Sequence, residues 1–557
     1  MLRSAATRFS IAFAAGALSA LLAFAFERVT GMGTADPRLG GVAYALAGGL
    51  VGGWASLAMG WLWGAGAATR AGLLVMAAFL LLQLLYFVNV RLLPGDPYYS
   101  TRSLLLNVGI LLLVSLPPLW VLRSQWVKGA RQRLGQGTAV LGAALMLGLG
   151  VAAGEVLGKP AKATAREGGQ GPNLLLVVLD SVRRDHLGVY GYARPTSPAL
   201  DRLAREARVF EGAASASSWT VPSVQRLLRS GDGGSGKGLV ARLEEQGYLA
   251  ACFTDNPHLG PGSSITRQFD RVERSVGTWR VALRGTLLGE FVERVDGGSD
   301  RRLVSRALAW ARQSRGPFLL YVHLMESHTP YDESPIDGRR RRGRRIQFPL
   351  PGMPMTAEEA EDVIARYDGG IRAADAEAGR LLEAARGWGR PFVAIVTADH
   401  GESLGEHGRW FHGGSLAPEL LAVPLVVLGE GVSPGRVGAL VDYSSIPKTL
   451  LAAAGLPCRR CPGSDLRTST GDGFAEGVLP PNLTYRMRDG YKLIVDRASG
   501  RSQLFDFQAD PGETRDLTPS RPELARALAS APLPGAEQRA PDPEELSRLR
   551  ALGYLGY

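Results

Sequence analysis

Five stretches of this chain, residues 9–26, 39–69, 71–90, 103–122 and 134–154, contain no Asp, Glu, Lys or Arg and are dominated by Leu, Ala, Val, Gly and Phe. A helix needs roughly 18 to 20 such residues to cross a hydrocarbon core about 30 Å thick, and each stretch is long enough. A cleaved signal peptide would account for the first stretch alone, whereas four more call for a polytopic anchor. At about 1.5 Å per residue the longest stretch, 39–69, reaches about 46 Å, too short for two crossings and a turn. Residues 1–158 are therefore expected to form a bundle of five transmembrane helices near 9–26, 41–65, 71–90, 103–122 and 137–157.

Lys and Arg in short loops set the orientation of such a bundle. The N-terminus carries Arg3 and Arg8, the second loop Arg70, and the fourth Arg123, Lys128, Arg131 and Arg133, while the alternate loops carry Arg28, Arg38, Arg91 and Arg102. The first set would face the cytoplasm, and five crossings then place everything after residue 158 outside. The expectation is an integral protein of a bacterial plasma or inner membrane, with the bilayer as a partner and its soluble part extracytoplasmic or periplasmic. Residues 159–172, rich in Gly, Ala, Lys and Gln, read as a linker.

The net charge of +11 favours anionic partners, and its densest block runs from Arg339 to Arg342 and on to Arg344 and Arg345. No zinc-finger spacing, RNA-recognition signature or aromatic interleaving accompanies these arginines, so nucleic acid is not expected and the run reads as a solvated basic loop. Of the three cysteines, Cys252 lies in an apolar run and is expected to be buried and inert. Cys458 and Cys461 form a Cys-x-x-Cys with no second Cys or His pair nearby; in an oxidising compartment a local disulfide is expected rather than a zinc site.

From Asn173 the pattern changes to short apolar runs ending in polar residues: NLLLVVLD, YLAACFTDN, PFLLYVHL, PFVAIVTADHGE and VPLVVLG. Helical stretches at 198–208, 238–247, 301–313 and 358–386 lie between them. Alternating runs of this kind predict buried parallel strands in an α/β sheet covered on both faces. Sites in such sheets gather at the carboxyl ends of strands, and two runs end in acids, one at Asp180 and one at Asp399-His400. Either acid alone could be a helix cap or a satisfied buried group. Together they offer carboxylate oxygen and imidazole nitrogen to a divalent cation, a set that suits Zn²⁺ or Mn²⁺ better than Ca²⁺ or Mg²⁺. A third element, SSWTVPS at 217–223, places a hydroxyl before a proline turn that feeds a helix expected over Val224–Leu228. A hydroxyl beside a metal is an activated nucleophile, and a helix N-terminus attracts an anionic ester.

These residues carry a resemblance. The stretch from NLLLVVLDSVRRDHLG to SSWTVPS resembles the opening of sulfatase-family domains of the alkaline phosphatase superfamily, and TADHGESLGEHGRWFHG resembles their second metal motif. HLMESHTPY, YDGGIRAADAEAGRLL, YKLIVDRASGRSQLFDFQADPGETRDL and LRALGYLG follow in family order across most of 173–557. The resemblance implies an alkaline-phosphatase-like α/β catalytic domain over 173–457 and a smaller C-terminal α+β subdomain and tail over 458–557. It also implies an enzyme acting on sulfuric or phosphoric esters.

Three positions depart from the sulfatase pattern of Cys/Ser-x-Pro-x-Arg. Thr220 replaces the residue oxidised to formylglycine, Val224 replaces the arginine, and Ser181 replaces a second aspartate. Oxidising threonine would give a ketone, so the aldehyde hydrate of the sulfatases cannot form at Thr220. The departures resemble lipoteichoic acid synthases and phosphoethanolamine transferases, which use a threonine nucleophile and carry five membrane helices. That resemblance implies a metal set of Asp180, Thr220, Asp399 and His400, with Thr220 as nucleophile. It further implies that His328 and His412 bind the substrate's anionic group or protonate the leaving group, with His323 and His407 as lesser candidates near the substrate. The substrate expected is a sulfate or phosphate ester, lipid-linked or glycan-linked, with hydrolysis and transfer both open. The competing expectation is a binding or scaffolding protein that kept the fold after losing two family residues. Gly231 to Lys237 matches most of a P-loop, but Gly238 stands where a hydroxyl should hold Mg²⁺, so a surface turn is expected. Asn482-Leu483-Thr484 matches a glycosylation acceptor, silent in the bacterial source that the Ala/Arg/Gly-rich composition suggests.

Overall fold

The computed structural model describes residues 169–229, 238–260, 263–275, 300–331, 334–339, 341, 346, 355–456, 458 and 461–530. The five apolar stretches, most of the linker, Gly231 to Lys237 and most of the arginine run lie outside the described residues. Among the described residues no helix is long and apolar enough to cross a membrane.

The described residues belong to one compact unit, built around an eight-stranded sheet. Its strand order is β10 (Gly435–Asp442), β2 (Arg208–Ala214), β9 (Leu425–Gly429), β6 (Phe392–Ala398), β1 (Asn173–Leu179), β5 (Phe318–Leu324), β3 (Leu249–Thr254) and β4 (Arg271–Glu273). Neighbours run parallel except where β9 meets β6 and β2, where they run antiparallel. The run VPLVVLG was expected to be parallel like the others. An apolar run records burial on both faces and not direction, so it could not distinguish the two.

All seven residues of β1 are buried although successive side chains point to opposite faces, so both faces must be covered. One group of helices, α1 (Pro198–Leu203), α4 (Asp300–Gln313) and α5 (Ala357–Ala385), packs together, α4 against β5 and β3 and α5 against β6. A second group, α2 (Thr220–Leu228), α3 (Leu239–Glu244) and α7 (Ser445–Ala453), packs against β3 and β6 through α3 and α7. A capping box opens α5: Glu359 N donates to Thr356 Oγ1 at 3.2 Å and Thr356 N to Glu359 Oε2 at 3.0 Å.

Two helical stretches are shorter than expected. The 198–208 stretch ends at Leu203 and its last residue opens β2, while 238–247 is helical only over Leu239–Glu244. In contrast, α2 begins at Thr220 and not at Val224, because Pro222 falls in its first turn, where a missing N–H costs nothing.

The smaller α+β part is a four-stranded antiparallel sheet, β11 (Phe474–Leu479), β12 (Leu483–Arg488), β13 (Tyr491–Asp496) and β14 (Ser502–Asp506), with α8 (Pro522–Ser530) against β13 and β14. Strand alternation splits its apolar residues. Leu483, Tyr485 and Met487 join the main core, whereas Leu493 and Leu504 form a separate cluster with Ala525 and Leu528. Cys458 and Cys461 are joined in the expected disulfide, buried in the main core, and Cys252 is a buried free thiol whose pKa is pushed up by burial. A two-stranded ribbon, β7 (Ser403–Leu404) with β8 (Trp410–Phe411), and the short helix α6 (Pro418–Leu421) complete the surroundings of the site.

Candidate active site

Four adjacent strands, β6, β1, β5 and β3, deliver side chains to one place at or just beyond their carboxyl ends. Asp180 follows β1, where its amide donates to Leu324 O at 2.9 Å and its carbonyl accepts from Ser327 Oγ at 2.7 Å. Asp399 and His400 follow β6. A Cβ on Gly401 would lie 2.0 Å from Glu419 O, so only glycine lets the chain turn there.

Asp180 Oδ1 accepts from Ser181 Oγ at 2.9 Å, and Oδ2 lies 2.8 Å from Asn256 Nδ2 and 2.9 Å from His323 Nε2. Asp399 Oδ1 accepts from Ser181 N at 3.2 Å and His400 N at 3.0 Å, while its buried Oδ2 has no hydrogen-bond partner. His400 Nδ1 lies 2.9 Å from Gly401 O, and because a carbonyl only accepts, this nitrogen carries the proton. That leaves the Nε2 lone pair facing Asp399 Oδ2 at 3.4 Å, Thr220 Oγ1 at 3.5 Å and Asp180 Oδ1 at 3.9 Å. Burial lowers the His400 pKa, which keeps the ring neutral. For Asp180, burial acts upward, but His328, His323 and His400 hold its pKa well below the usual carboxylate range. Donor atoms of Asp180, Asp399 and His400 lie within 4.8 Å of one another. Two carboxylate oxygens and an imidazole lone pair thus converge, one of them an orphaned acceptor, and a cation is what such a set satisfies.

Thr220 is the first residue of α2 and 4% exposed, with Oγ1 3.4 Å from Asn256 Nδ2. The turn before it is tied to the second motif: Ser215 Oγ donates to Asp399 O, and Gly413 N donates to Ser218 O at 2.9 Å. Val224, at the position of the resemblance's arginine, is wholly buried in the core.

The His412 ring lies tilted against His400 with centroids 4.3 Å apart, and the His328 ring lies 5.1 Å from that of His412. His412 Nδ1 is 3.0 Å from Glu402 Oε1, and Glu402 Oε2 accepts from Tyr331 OH at 2.9 Å. Burial acts to lower the His412 pKa, but the Glu402 carboxylate, then Asp180 and Asp399, raise it. His328 Nδ1 lies 2.6 Å from Thr329 O. His323 sits inside β5, wholly buried between Tyr321 OH, 2.8 Å from Nδ1, and Asp180. His407 stands apart, its side chain 39% exposed and 4.0 Å from Glu419.

Asn256, Glu402 and Tyr331 complete the cluster without having been singled out in the sequence, and Ser181, noted there only for replacing an aspartate, joins them. For Asn256 a signal existed: the run LAACFT of β3 also ends in an acid, Asp255-Asn256. There the acid turns away, accepting from Ser275 N at 2.9 Å, and the amide after it reaches the site.

A mainly parallel sheet covered on both faces, with Asp and His side chains gathered at central strand ends and a hydroxyl on a helix N-terminus, is an alkaline-phosphatase-like α/β arrangement. The phosphonate monoester hydrolase of Agrobacterium radiobacter shares the fold, with a TM-score of 0.51, 18% identity, and coverage of 69% of this chain and 97% of that one. A family model described as Sulfatase matches residues 172–456, just over half of the chain, and the chain belongs to that family. A low-salt glycan biosynthesis sulfotransferase of Haloferax volcanii is 36% identical over 85 residues, 14% of this chain and 21% of that protein. A phosphoethanolamine transferase of Helicobacter pylori is 24% identical over 263 residues, 46% of this chain and 47% of that protein. The match thus spans less than half the length of either curated relative.

Proposed function

We propose that this protein is a metal-dependent enzyme, anchored in the membrane by its N-terminal stretches, that cleaves or transfers a sulfate or phosphate ester group through Thr220. The observation that carries the reading is the approach of Thr220 Oγ1 to His400 Nε2 at 3.5 Å, beside two carboxylates of which one leaves a buried oxygen unpaired. Asp180, Thr220, Asp399 and His400 would hold the cation, Zn²⁺ or Mn²⁺. When bound, it neutralises charge on the ester and lowers the pKa of the hydroxyl.

Thr220 Oγ1 gives its proton to solvent water and forms the new bond to phosphorus or sulfur as the bond to the leaving oxygen breaks. His328 or His412 supplies the proton that this oxygen takes, and the Glu402 carboxylate keeps His412 protonated at a higher pH than burial alone would allow. The N-terminus of α2, whose first amides lack intrahelical partners, favours the anionic ester. Water then releases the group from Thr220 in a hydrolase, whereas a glycan or lipid hydroxyl accepts it in a transferase. The proposed anchor favours an envelope lipid or glycan as substrate, and the names of the relatives support ester chemistry at sulfur or phosphorus.

The test is intact-mass analysis and peptide mapping of the full-length chain after incubation with membrane lipids. A sulfuryl or phosphoryl adduct confined to Thr220, absent from Thr220→Ala, is expected, and because the two groups are nearly isobaric, high-resolution fragmentation of the modified peptide tells sulfur from phosphorus. Turnover of a phosphate or sulfate ester by Thr220→Ala at the wild-type rate would sink the covalent reading.

A further inference from the structure

The two carboxylates of the cluster are held in a particular way, and one residue touches both. Ser181, directly after Asp180, has a φ of 60°. A non-glycine residue occupies this left-handed region only when its surroundings hold it there. The holder is Tyr367 of α5, whose phenol donates to Ser181 O at 2.8 Å and accepts from Arg183 N at 2.9 Å. Tyr367 is itself wholly buried, edge-on to Tyr331 with ring centroids 5.9 Å apart.

In this conformation the hydroxyl of Ser181 donates to Asp180 Oδ1 at 2.9 Å, and its amide donates to Asp399 Oδ1 at 3.2 Å. Asn256 and His323 occupy the other oxygen of Asp180, and His400 N shares Asp399 Oδ1. Each acid therefore turns one oxygen toward His400 Nε2: Asp399 Oδ2 at 3.4 Å and Asp180 Oδ1 at 3.9 Å. Asn256 and His323 engage the outward oxygen of Asp180, Ser181 N and His400 N that of Asp399, and the Ser181 hydroxyl pins the inward Oδ1 of Asp180 as well, so that donors on both of its oxygens fix the plane of that carboxylate and oppose its rotation into a two-oxygen grip.

We propose that Ser181 is a positioning residue that sets metal selectivity, holding Asp180 and Asp399 as single-oxygen donors and so favouring Zn²⁺ over Ca²⁺. The physical ground is coordination number. Zn²⁺ is satisfied by four nitrogen and oxygen donors, which Asp180, Asp399, His400 and Thr220 supply, whereas Ca²⁺ takes six to eight oxygens and often draws both oxygens of a carboxylate. This inference rests on the metal reading given under the proposed function.

The test measures binding of Zn²⁺ alone and Ca²⁺ alone to the metal-free full-length chain by calorimetry or chelator competition. Ser181→Gly keeps the backbone free to adopt a φ of 60° and keeps the amide donor, but removes the hydroxyl. Its Zn²⁺ affinity should fall about 10- to 100-fold, as for other partners of metal-bound carboxylates, with a smaller change for Ca²⁺, so that the Zn²⁺/Ca²⁺ ratio narrows. Wild-type affinities in Ser181→Gly, or equal losses for both ions, would overturn the proposal. If Ser181→Gly does not fold, Tyr367→Phe takes its place, since it releases the turn with Ser181 intact. A narrowed ratio supports the proposal there, and an unchanged one overturns it. A wild-type chain that binds neither ion removes the metal reading itself, and this inference with it.

Discussion

At the scale of single residues, the site is defined by what each polar atom lacks or holds. Asp399 Oδ2 is buried without a hydrogen-bond partner and His400 Nε2 offers a lone pair beside it, so removing any one ligand should cost the site its cation. Asp180→Ala, Asp399→Ala and His400→Ala are each expected to lower bound Zn²⁺ or Mn²⁺ sharply, read by elemental analysis after gel filtration. Unchanged metal content in all three would mean that the ligands lie elsewhere. Asp180, Asp399 and His400 were legible in the sequence because apolar runs ended on them, and Thr220 because a hydroxyl preceded a proline. Glu402 and Tyr331 were not, because Glu402 meets His412 across 10 residues of chain and Tyr331 meets Glu402 across 71, and no local pattern records such meetings.

At the scale of elements, one helix caps another. Ser197, before α1, gives no side-chain cap, and Asp375 of α5 instead accepts from Ala199 N at 2.7 Å and Leu200 N at 2.9 Å. Burial pushes the Asp375 carboxyl up from 3.8 to about 6, against the pull of those two amides. A raised folded-state pKa means that the carboxyl's contribution to stability is full below about pH 4 and is lost as pH rises through about 6. Roughly two units correspond to about 3 kcal/mol at most. Asp375→Asn cannot titrate, so its stability relative to wild type should improve between pH 4 and pH 7, on top of a constant penalty for the lost acceptor. Thermal melts across that range check this, and parallel curves for the two proteins would refute it. The helix pattern of α5 was visible in the sequence, but the role of Asp375 was not, because on periodicity alone it is one more polar residue in a 29-residue helix.

At the scale of the whole molecule, the chain divides into an N-terminal region of uncharged apolar stretches and a sulfatase-family domain whose sheet carries the site. The loop-charge asymmetry of the first 158 residues predicts a cytoplasmic N-terminus and a domain outside the cytoplasm. Fusing a reporter to the C-terminus tests this: alkaline phosphatase, active only outside, should give signal, while a fluorescent protein that matures only inside should not. The opposite pair of results would reverse the topology.

The sequence by itself determined the α/β class and the ends of the central strands, because burial on both faces leaves continuous apolar runs and chemistry follows where they stop. It also held Asp180, Asp399 and His400, the side chains that meet at those ends, since residue types are written one by one. Only the tertiary structure decided that β9 runs antiparallel, that α2 starts on the threonine, and that Ser181, Asn256 and Glu402 belong to the site. The direction of β9 and the places of Ser181 and Asn256 are set by partners far away in the chain, and a hydrogen bond across 71 or 186 residues becomes visible only when both ends have been placed.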